Sequence, residues 1–412
     1  SYGPGRYESN YEEKGLDYPI GFVRWTENRN MKSVIRLLES GAVNFDSLIT
    51  HRYSFSEAIS VYENLKSDDR TTIGVIFEYD SKVNLDNTRV ISKINSGINI
   101  DKINIGLIGA GSYAQTSLLP IIEKVKNINL VGLCTNNGIN ANHIGKKYNF
   151  NYVTTNAEKI INDDNINCVF VLTRHNTHAK YVSSLLSKNK HVFVEKPLAI
   201  NKEEIDMIRE KYSNTSGTLM LGFNRRFSPI IKKVKSFFKR RSSPMIINYC
   251  INTGNIPSNH WTHDLEVSGG RVVGEMCHFI DLCKFLANSK VKSFHSAKID
   301  INNDAIDYLD NTCLMLEFDD GSIANIQYLS NGDSAFSKER IEIFCDGSIV
   351  TVDDFQSSKF INDGKIRAFN LGSQDKGQSN CIKEYFLNLT KNRDSLISFD
   401  DIIESTLISF DS

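Results

Sequence analysis

The chain has 412 residues, 40% of them hydrophobic, and Lys+Arg 48 against Asp+Glu 49 leave a formal net charge of −1. That length holds roughly two to three domains, and the balanced charge excludes a basic surface for nucleic acid or for an anionic membrane. No apolar run approaches the roughly 18 residues that span a bilayer, and no charged-then-apolar signal opens the chain. Eight scattered cysteines without a CxxC pair fit reduced thiols and a cytoplasmic location, with no metal-ligating set visible, so a small-molecule substrate is expected.

Residues 1–28, rich in Gly, Pro, Tyr and charge, read as irregular structure lying on another surface. A helix over Arg29–Ser40 carries Val34, Leu37 and Leu38 on one face and stops at Gly41. Ser54-Phe55-Ser56-Glu57 matches the S-x-x-E capping box and opens a second helix, Phe55 to about Leu65, with Ile59, Tyr62 and Leu65 expected to be buried. Thr71–Tyr79 reads as a strand. So few elements do not bury enough surface to stand alone, and they require a partner sheet. The run SYGPGRYESNYEEKGLDYPIGFVRWTENRNM, with LITHRYSFSEAISVYENL after it, resembles the C-terminal end of medium-chain, zinc-alcohol-dehydrogenase-like reductases. The resemblance implies a small α/β remnant over residues 1–80 that carries no catalytic residue and has a medium-chain reductase fragment as its partner. Polar residues 81–101 read as a linker.

At KINIGLIGAGSYAQ the pattern changes. Ile103–Ile108 is a short buried strand that breaks into Gly109-Ala110-Gly111-Ser112-Tyr113-Ala114 before helix-favouring sequence. Gly109 permits the sharp turn, Gly111 holds no Cβ between backbone and a pyrophosphate, and small Ala114 lets helix and strand approach. Strands over Asn129–Thr135, Asn167–Thr173 and Val192–Val194 alternate with helices over about Asn140–Tyr148 and His175–Lys188. This alternation predicts a doubly wound parallel sheet of Rossmann type over 102–223. Ligands of such sheets sit beyond the carboxyl ends of the strands, which selects Gly109–Ser112, Thr135–Asn137, Thr173–His178 and Glu195–Pro197. Thr135, Asn136, Thr173, His178, Glu195 and Pro197 join Gly109, Gly111, Ser112, Tyr113 and Ala114 as cofactor-binding candidates. Thr135-Asn136-Asn137 is neither acidic nor basic, so NAD and NADP are both accommodated.

Glu195-Lys196-Pro197 places an ammonium at the cofactor edge of the sheet, where it can donate to a reacting oxygen. GLIGAGSYA followed by HVFVEKPLA resembles the glucose-fructose oxidoreductase, inositol dehydrogenase and rhizopine-catabolism (Gfo/Idh/MocA) family over nearly all of residues 101–412. Joined to the reductase-like tail, the whole chain resembles the bi-domain oxidoreductases associated with cell-surface polysaccharide genes. The resemblance implies a nicotinamide-binding domain followed by an open sheet domain acting on sugars, nucleotide sugars or polyols, with Lys196 in the active site.

Residues 224–412 read as a substrate-binding α+β domain. Arg225 and Arg226 follow the strand Leu219–Phe223 and can pair with a substrate anion or with acidic side chains of a neighbouring element. Alternating strands over Met245–Thr253, Val291–Ile299, Asn311–Phe318, Ser322–Leu329 and Glu339–Cys345 predict a mostly antiparallel sheet, whose uncovered face points to a homo-oligomer. Between the first two, a helix over Gly270–Ala287 puts Val272, Met276, Phe279, Cys283 and Leu286 on a core stripe, and Arg271, Glu275 and His278 on another face. A histidine there can exchange a hydroxyl proton, and the resemblance aligns His278 with the family's active-site histidine. The family commonly carries Asp four residues earlier; here that position is Gly274, with Glu275 beside it as a substitute that points about 100° away on an ideal helix. Trp261 and His263 precede the helix and, with Arg271, are candidates to wall the substrate pocket. The rival expectation is a catalytically weak nucleotide-binding accessory subunit for a separately encoded reductase half.

Overall fold

The computed structural model describes residues 3–65, 72–79, 91–92, 102–299, 310–391 and 394–412. The chain divides into two units, Ser1–Leu85 and Asp86–Ser412.

In the first unit, β1 (Ile49–Ser54) and β2 (Gly74–Glu78) pair in parallel. Parallel partners need a crossover, and part of it is the helix Ala58–Asn64. The capping box is present: Ser54 accepts from the Ser56 N–H while its own N–H donates to Glu57. An earlier helix spans Glu27–Glu39, two residues ahead of the expected start. The expected burial of Ile59, Tyr62 and Leu65 is corrected: Leu65 is exposed, and Ile59 and Tyr62 remain 79% and 63% exposed, as Val34, Leu37 and Leu38 of the earlier helix are exposed too. Among the described residues of this unit two strands offer no second layer to receive these faces, and within Ala58–Asn64 only Val61 is buried. Thr71 and most of the 81–101 linker lie outside the described residues. Within that linker Ile91–Ser92 forms a short strand, β3.

The second unit opens with the sheet that the glycine loop belongs to. Its strands are β4 (Ile103–Ile108), β5 (Ile128–Cys134), β6 (Tyr152–Thr154), β7 (Cys168–Val171), β8 (His191–Val194) and β9 (Leu219–Leu221). Their order is β3-β6-β5-β4-β7-β8-β9, parallel except for β3. Counting from β4 this is 3-2-1-4-5-6, and the order reverses between β4 and β7, so the ligand crevice opens beyond their carboxyl ends. β7 and β8 are near-continuous apolar runs because helices cover both faces.

A second sheet follows, in the order β11-β12-β13-β10-β14-β15-β16-β17. Its strands are β10 (Ile246–Asn252), β11 (Val291–Lys298), β12 (Thr312–Phe318), β13 (Ile323–Leu329), β14 (Glu339–Cys345), β15 (Ser348–Asp353), β16 (Ser357–Asn362) and β17 (Lys365–Asn370). The β10–β13 pair is parallel and the others are antiparallel. Alternate residues such as Leu314, Leu316, Ile326, Tyr328, Ile341 and Ile343 form one core with the helices Pro229–Phe237 and Arg271–Ala287. The fold is thus a Rossmann sheet followed by an open, mostly antiparallel sheet. The last two helices, Gln378–Leu389 and Phe399–Phe410, return to the first sheet: Tyr385 and Phe386 pack their rings against Phe170, and Ile402 and Ile403 join the same core.

Candidate active site

β4 ends where a side chain has no room. Gly109 has φ +91°, and a Cβ there would lie 2.5 Å from the Leu172 carbonyl oxygen of the adjacent strand end. The turn therefore needs glycine for both its conformation and its closeness to β7. At Gly111 the opposite holds, since a Cβ would meet nothing within 4 Å. Gly111 borders a cavity of about 360 Å³ at the crevice, where the next helix begins and its first N–H groups lack intrahelical acceptors. Space, bare backbone and helix N-terminus together fit a dinucleotide's phosphates.

The same cavity is lined by Tyr113, Ala114, Thr173, Glu195, Lys196, Arg225, Trp261, Glu275 and His278 among the sequence-derived candidates. Residues beyond the carboxyl ends of β4, β7, β8 and β9 and from the long helix Arg271–Ala287 thus meet at one place. Lys196 donates from Nζ to the Gly274 carbonyl at 3.1 Å, which ties the end of β8 to that helix. Glu195 accepts from the Lys196 N–H at 3.3 Å and from the Tyr113 hydroxyl, and loss of water raises its carboxyl to about 7. Glu275 accepts from the Tyr328 hydroxyl at 2.9 Å. Burial alone would raise this carboxyl, but Lys196, Lys338, the Tyr328 hydrogen bond and Arg271 outweigh it and hold it below the usual range.

His278 is 6% exposed, stands beside Phe223 and faces the cavity. Burial pushes its pKa well below 6.5, and Arg225, Lys196 and Lys376 push in the same direction, so the ring is neutral near pH 7. Its Nδ1 is buried without a hydrogen-bond partner.

Other candidates stand elsewhere. Pro197 is buried, and the Lys196–Pro197 bond is cis. His178 is fully buried, with its ring nitrogens 2.7 Å from the Pro197 carbonyl and 3.1 Å from the Thr173 carbonyl; it fastens two cavity loops from behind. Ser112 is exposed, and its carbonyl accepts from Thr116. Thr135 donates to the Asn137 carbonyl, Asn137 caps the following helix, and Asn136 is exposed. Arg271 reaches the Thr253 and Gly254 carbonyls and lies 3.6 Å from Asp310, while His263 faces Asp310 and the Ile256 carbonyl. Neither Arg271 and His263 nor these partners line the cavity.

The two arginines after β9 take internal carboxylates. Arg225 makes a bidentate pair with Glu339 at 2.8 Å for each bond, Lys376 and Tyr249 also donate to Glu339, and Arg226 pairs with Asp281 of the long helix. Arg225 reaches the cavity only as the front of this buried cluster. Lining residues that sequence reasoning did not single out include His175, Asn224, Lys338, Lys376 and Gln378. His175 lay within the Thr173–His178 stretch at a strand's carboxyl end, whereas Lys338, Lys376 and Gln378 come from a distant strand start, a loop and a helix start with no local signature.

Comparison with known proteins agrees with this geometry. Residues 103–223 match the model of the oxidoreductase family with an NAD-binding Rossmann fold, and residues 232–350 match the GFO/IDH/MocA C-terminal domain. The uncharacterized oxidoreductase YrbE of Bacillus subtilis is 22% identical over 66% of this chain and 81% of its own length. Myo-inositol 2-dehydrogenase of Thermotoga maritima is 27% identical over 45% of this chain and 56% of its own. Among solved structures, a levoglucosan dehydrogenase in complex with NADH and levoglucosan superposes with a TM-score of 0.66 at 18% identity, covering 75% of this chain and 95% of that one. Among the described residues no helix is long and apolar enough to cross a membrane, and no cluster of metal-ligating side chains occurs. The two matched models together span more than half of the chain, which belongs to the Gfo/Idh/MocA family of NAD-binding oxidoreductases.

Proposed function

We propose that this protein transfers a hydride between a nicotinamide cofactor and a carbon of a sugar, nucleotide sugar or polyol. One observation carries the reading: Lys196 and, about 80 residues later on one helix, Glu275 and His278 line the same cavity as Gly111. NAD or NADP held on Gly109–Ala114 would supply the hydride acceptor or donor. Lys196 donates a hydrogen bond to the reacting oxygen, and Glu275 balances its charge at the cavity wall. His278, neutral and lining the cavity, takes the hydroxyl proton on oxidation and returns it on reduction. Arg225 and Lys376 stay paired to Glu339 and keep the local field positive, which favours an oxygen gaining negative charge. The named activities of relatives on inositol and levoglucosan support the substrate class. Resemblance to bi-domain oxidoreductases of polysaccharide gene clusters supports nucleotide sugars within it.

The test is a panel of polyols, free sugars and nucleotide sugars, offered with NAD⁺ and with NADP⁺ and followed at the nicotinamide absorbance. Oxidation of at least one member is expected. Tight binding of reduced cofactor with no turnover of any member would refute the reading.

The exposed apolar faces of the first unit, Ile59 and Tyr62 among them, favour a second role beside the first. In it this unit docks onto a medium-chain reductase fragment that supplies the missing strands, and the chain serves as its accessory subunit. Mixing the purified chain with a reductase body that lacks its own C-terminal strands should give a complex, and Ile59→Asp should abolish it; two unassociated proteins would contradict this role.

A further inference from the structure

Position 274 has no side chain because another residue occupies its place. A Cβ built on Gly274 would lie 2.8 Å from Cε1 and 3.2 Å from Nδ1 of His175. His175 comes from the short 3₁₀ turn His175–Thr177 beyond β7, so an imidazole from the first sheet stands against the bare backbone of the long helix. The ring is held on other sides as well. Its Nδ1 is 3.0 Å from the Ser268 carbonyl oxygen, and Trp261 meets it edge to face with centroids 5.0 Å apart.

These contacts fix the proton on the ring. A carbonyl oxygen only accepts, so Nδ1 carries the hydrogen. Burial lowers the imidazole to about 3, with nearby Lys196 acting in the same direction, and the ring is neutral. Nε2 is left with a lone pair, and among the described residues no donor meets it. His175 lines the cavity together with Lys196, Glu275 and His278. A fixed acceptor thus stands beside the ammonium that would hold the reacting oxygen.

A sugar or polyol brings hydroxyls on the carbons next to the reacting one, and each needs an acceptor once water is displaced. We propose that His175, seated by Gly274, is a substrate-binding residue that accepts a hydrogen bond at Nε2 from a hydroxyl neighbouring the reacting carbon. The proposal rests on the sugar-or-polyol reading. It makes the residue pair 175 and 274 a determinant of specificity, because a site built around a substrate hydroxyl discriminates strongly against analogues that lack it.

The experiment uses the full chain and the best-oxidised member of a panel of myo-inositol, levoglucosan, glucose and UDP-glucose, together with its deoxy analogue at the neighbouring carbon. Wild type should prefer the hydroxylated compound by about 100-fold or more in kcat/KM. His175→Phe should lose most of that preference by lowering kcat/KM for the hydroxylated compound while leaving the analogue within about threefold. Gly274→Ala should act in the same direction, since its methyl displaces the ring, and His175→Gln, which restores an acceptor, should recover part of the preference. NADH affinity within about twofold in all three variants verifies the fold. Undiminished preference in His175→Phe would overturn this proposal and leave the function reading intact, whereas no oxidation of any panel member would overturn both. A second readout needs no substrate: with ¹⁵N-labelled histidine, Nε2 of His175 should resonate as unprotonated from pH 5.5 to 8. A protonated Nε2 would overturn the proposal whatever the turnover.

Discussion

His278 stands among Arg225, Lys196 and Lys376, and burial with three cations keeps its ring neutral at working pH. Its titration therefore falls well below 6.5, so a break in kcat/KM near neutral pH should come from Glu195, whose carboxyl is raised to about 7, and should persist when His278 is replaced. His278→Gln should lower kcat by roughly 10²–10⁴-fold, and an acid limb centred near 6.5 that disappears in this variant would contradict the assignment. Glu339 carries a different burden. It is 0% exposed and receives Arg225, Lys376 and Tyr249 at once. Burial alone would raise it, yet its cationic partners hold the carboxyl well below 4.5. A lowered carboxylate stabilises the fold fully above the unfolded value, and that stability is lost as pH falls from about 4.5 toward the folded value. Glu339→Gln, which leaves the buried Arg225 without a carboxylate and Lys376 with only Asp354 at 3.7 Å, should cost about 3–5 kcal/mol in denaturant unfolding at pH 7; a loss under about 1 kcal/mol would contradict the cluster. Sequence showed that Arg225 and Arg226 needed anions but could not choose them. The partners, Glu339 and Asp281, sit on other elements, and only the tertiary fold brings them near.

At the scale of elements, the strand, loop and helix from Ile103 onward were legible from an apolar run that breaks at Gly109, where only glycine fits. Gly109→Ala would place a methyl 2.5 Å from the Leu172 carbonyl at φ +91°, a strain of roughly 1–3 kcal/mol. NADH affinity should fall by at least tenfold in this variant, about 1.4 kcal/mol; unchanged affinity would separate the loop from cofactor binding. The helix carrying Glu275 and His278 was legible from its stripe, and Met276, Phe279, Cys283 and Leu286 are buried as that stripe requires. The hairpin strands β15, β16 and β17 were not recognised, being short and flanked by polar turns whose alternation competes with exposed positions such as Lys359 and Lys365. The first unit shows the reverse failure. Periodicity correctly located its helices, but periodicity marks only which face seeks burial, and nothing in a two-stranded unit provides a partner for it.

For the whole molecule, the chain's return matters most. Helix Gln378–Leu389 follows the second sheet yet packs Tyr385 and Phe386 into the core of the first, so the boundary expected near residue 224 is crossed again near the end. The second sheet buries one face, while Ile246, Phe344 and Ile366 remain exposed. Self-association through this sheet is the expected consequence, and light scattering after size exclusion should report a mass at least twice that of the 46.6 kDa chain; a monomer at micromolar concentration would contradict it. The central claim is that a diphosphate cradle, an ammonium and an imidazole surround one reacting carbon. It is tested most directly by comparing wild type with Lys196→Met, measuring NADH affinity by fluorescence and turnover of the best panel substrate in the same preparations. The expected result is affinity within a few fold and turnover reduced by at least about 10²-fold, and undiminished turnover would contradict the account.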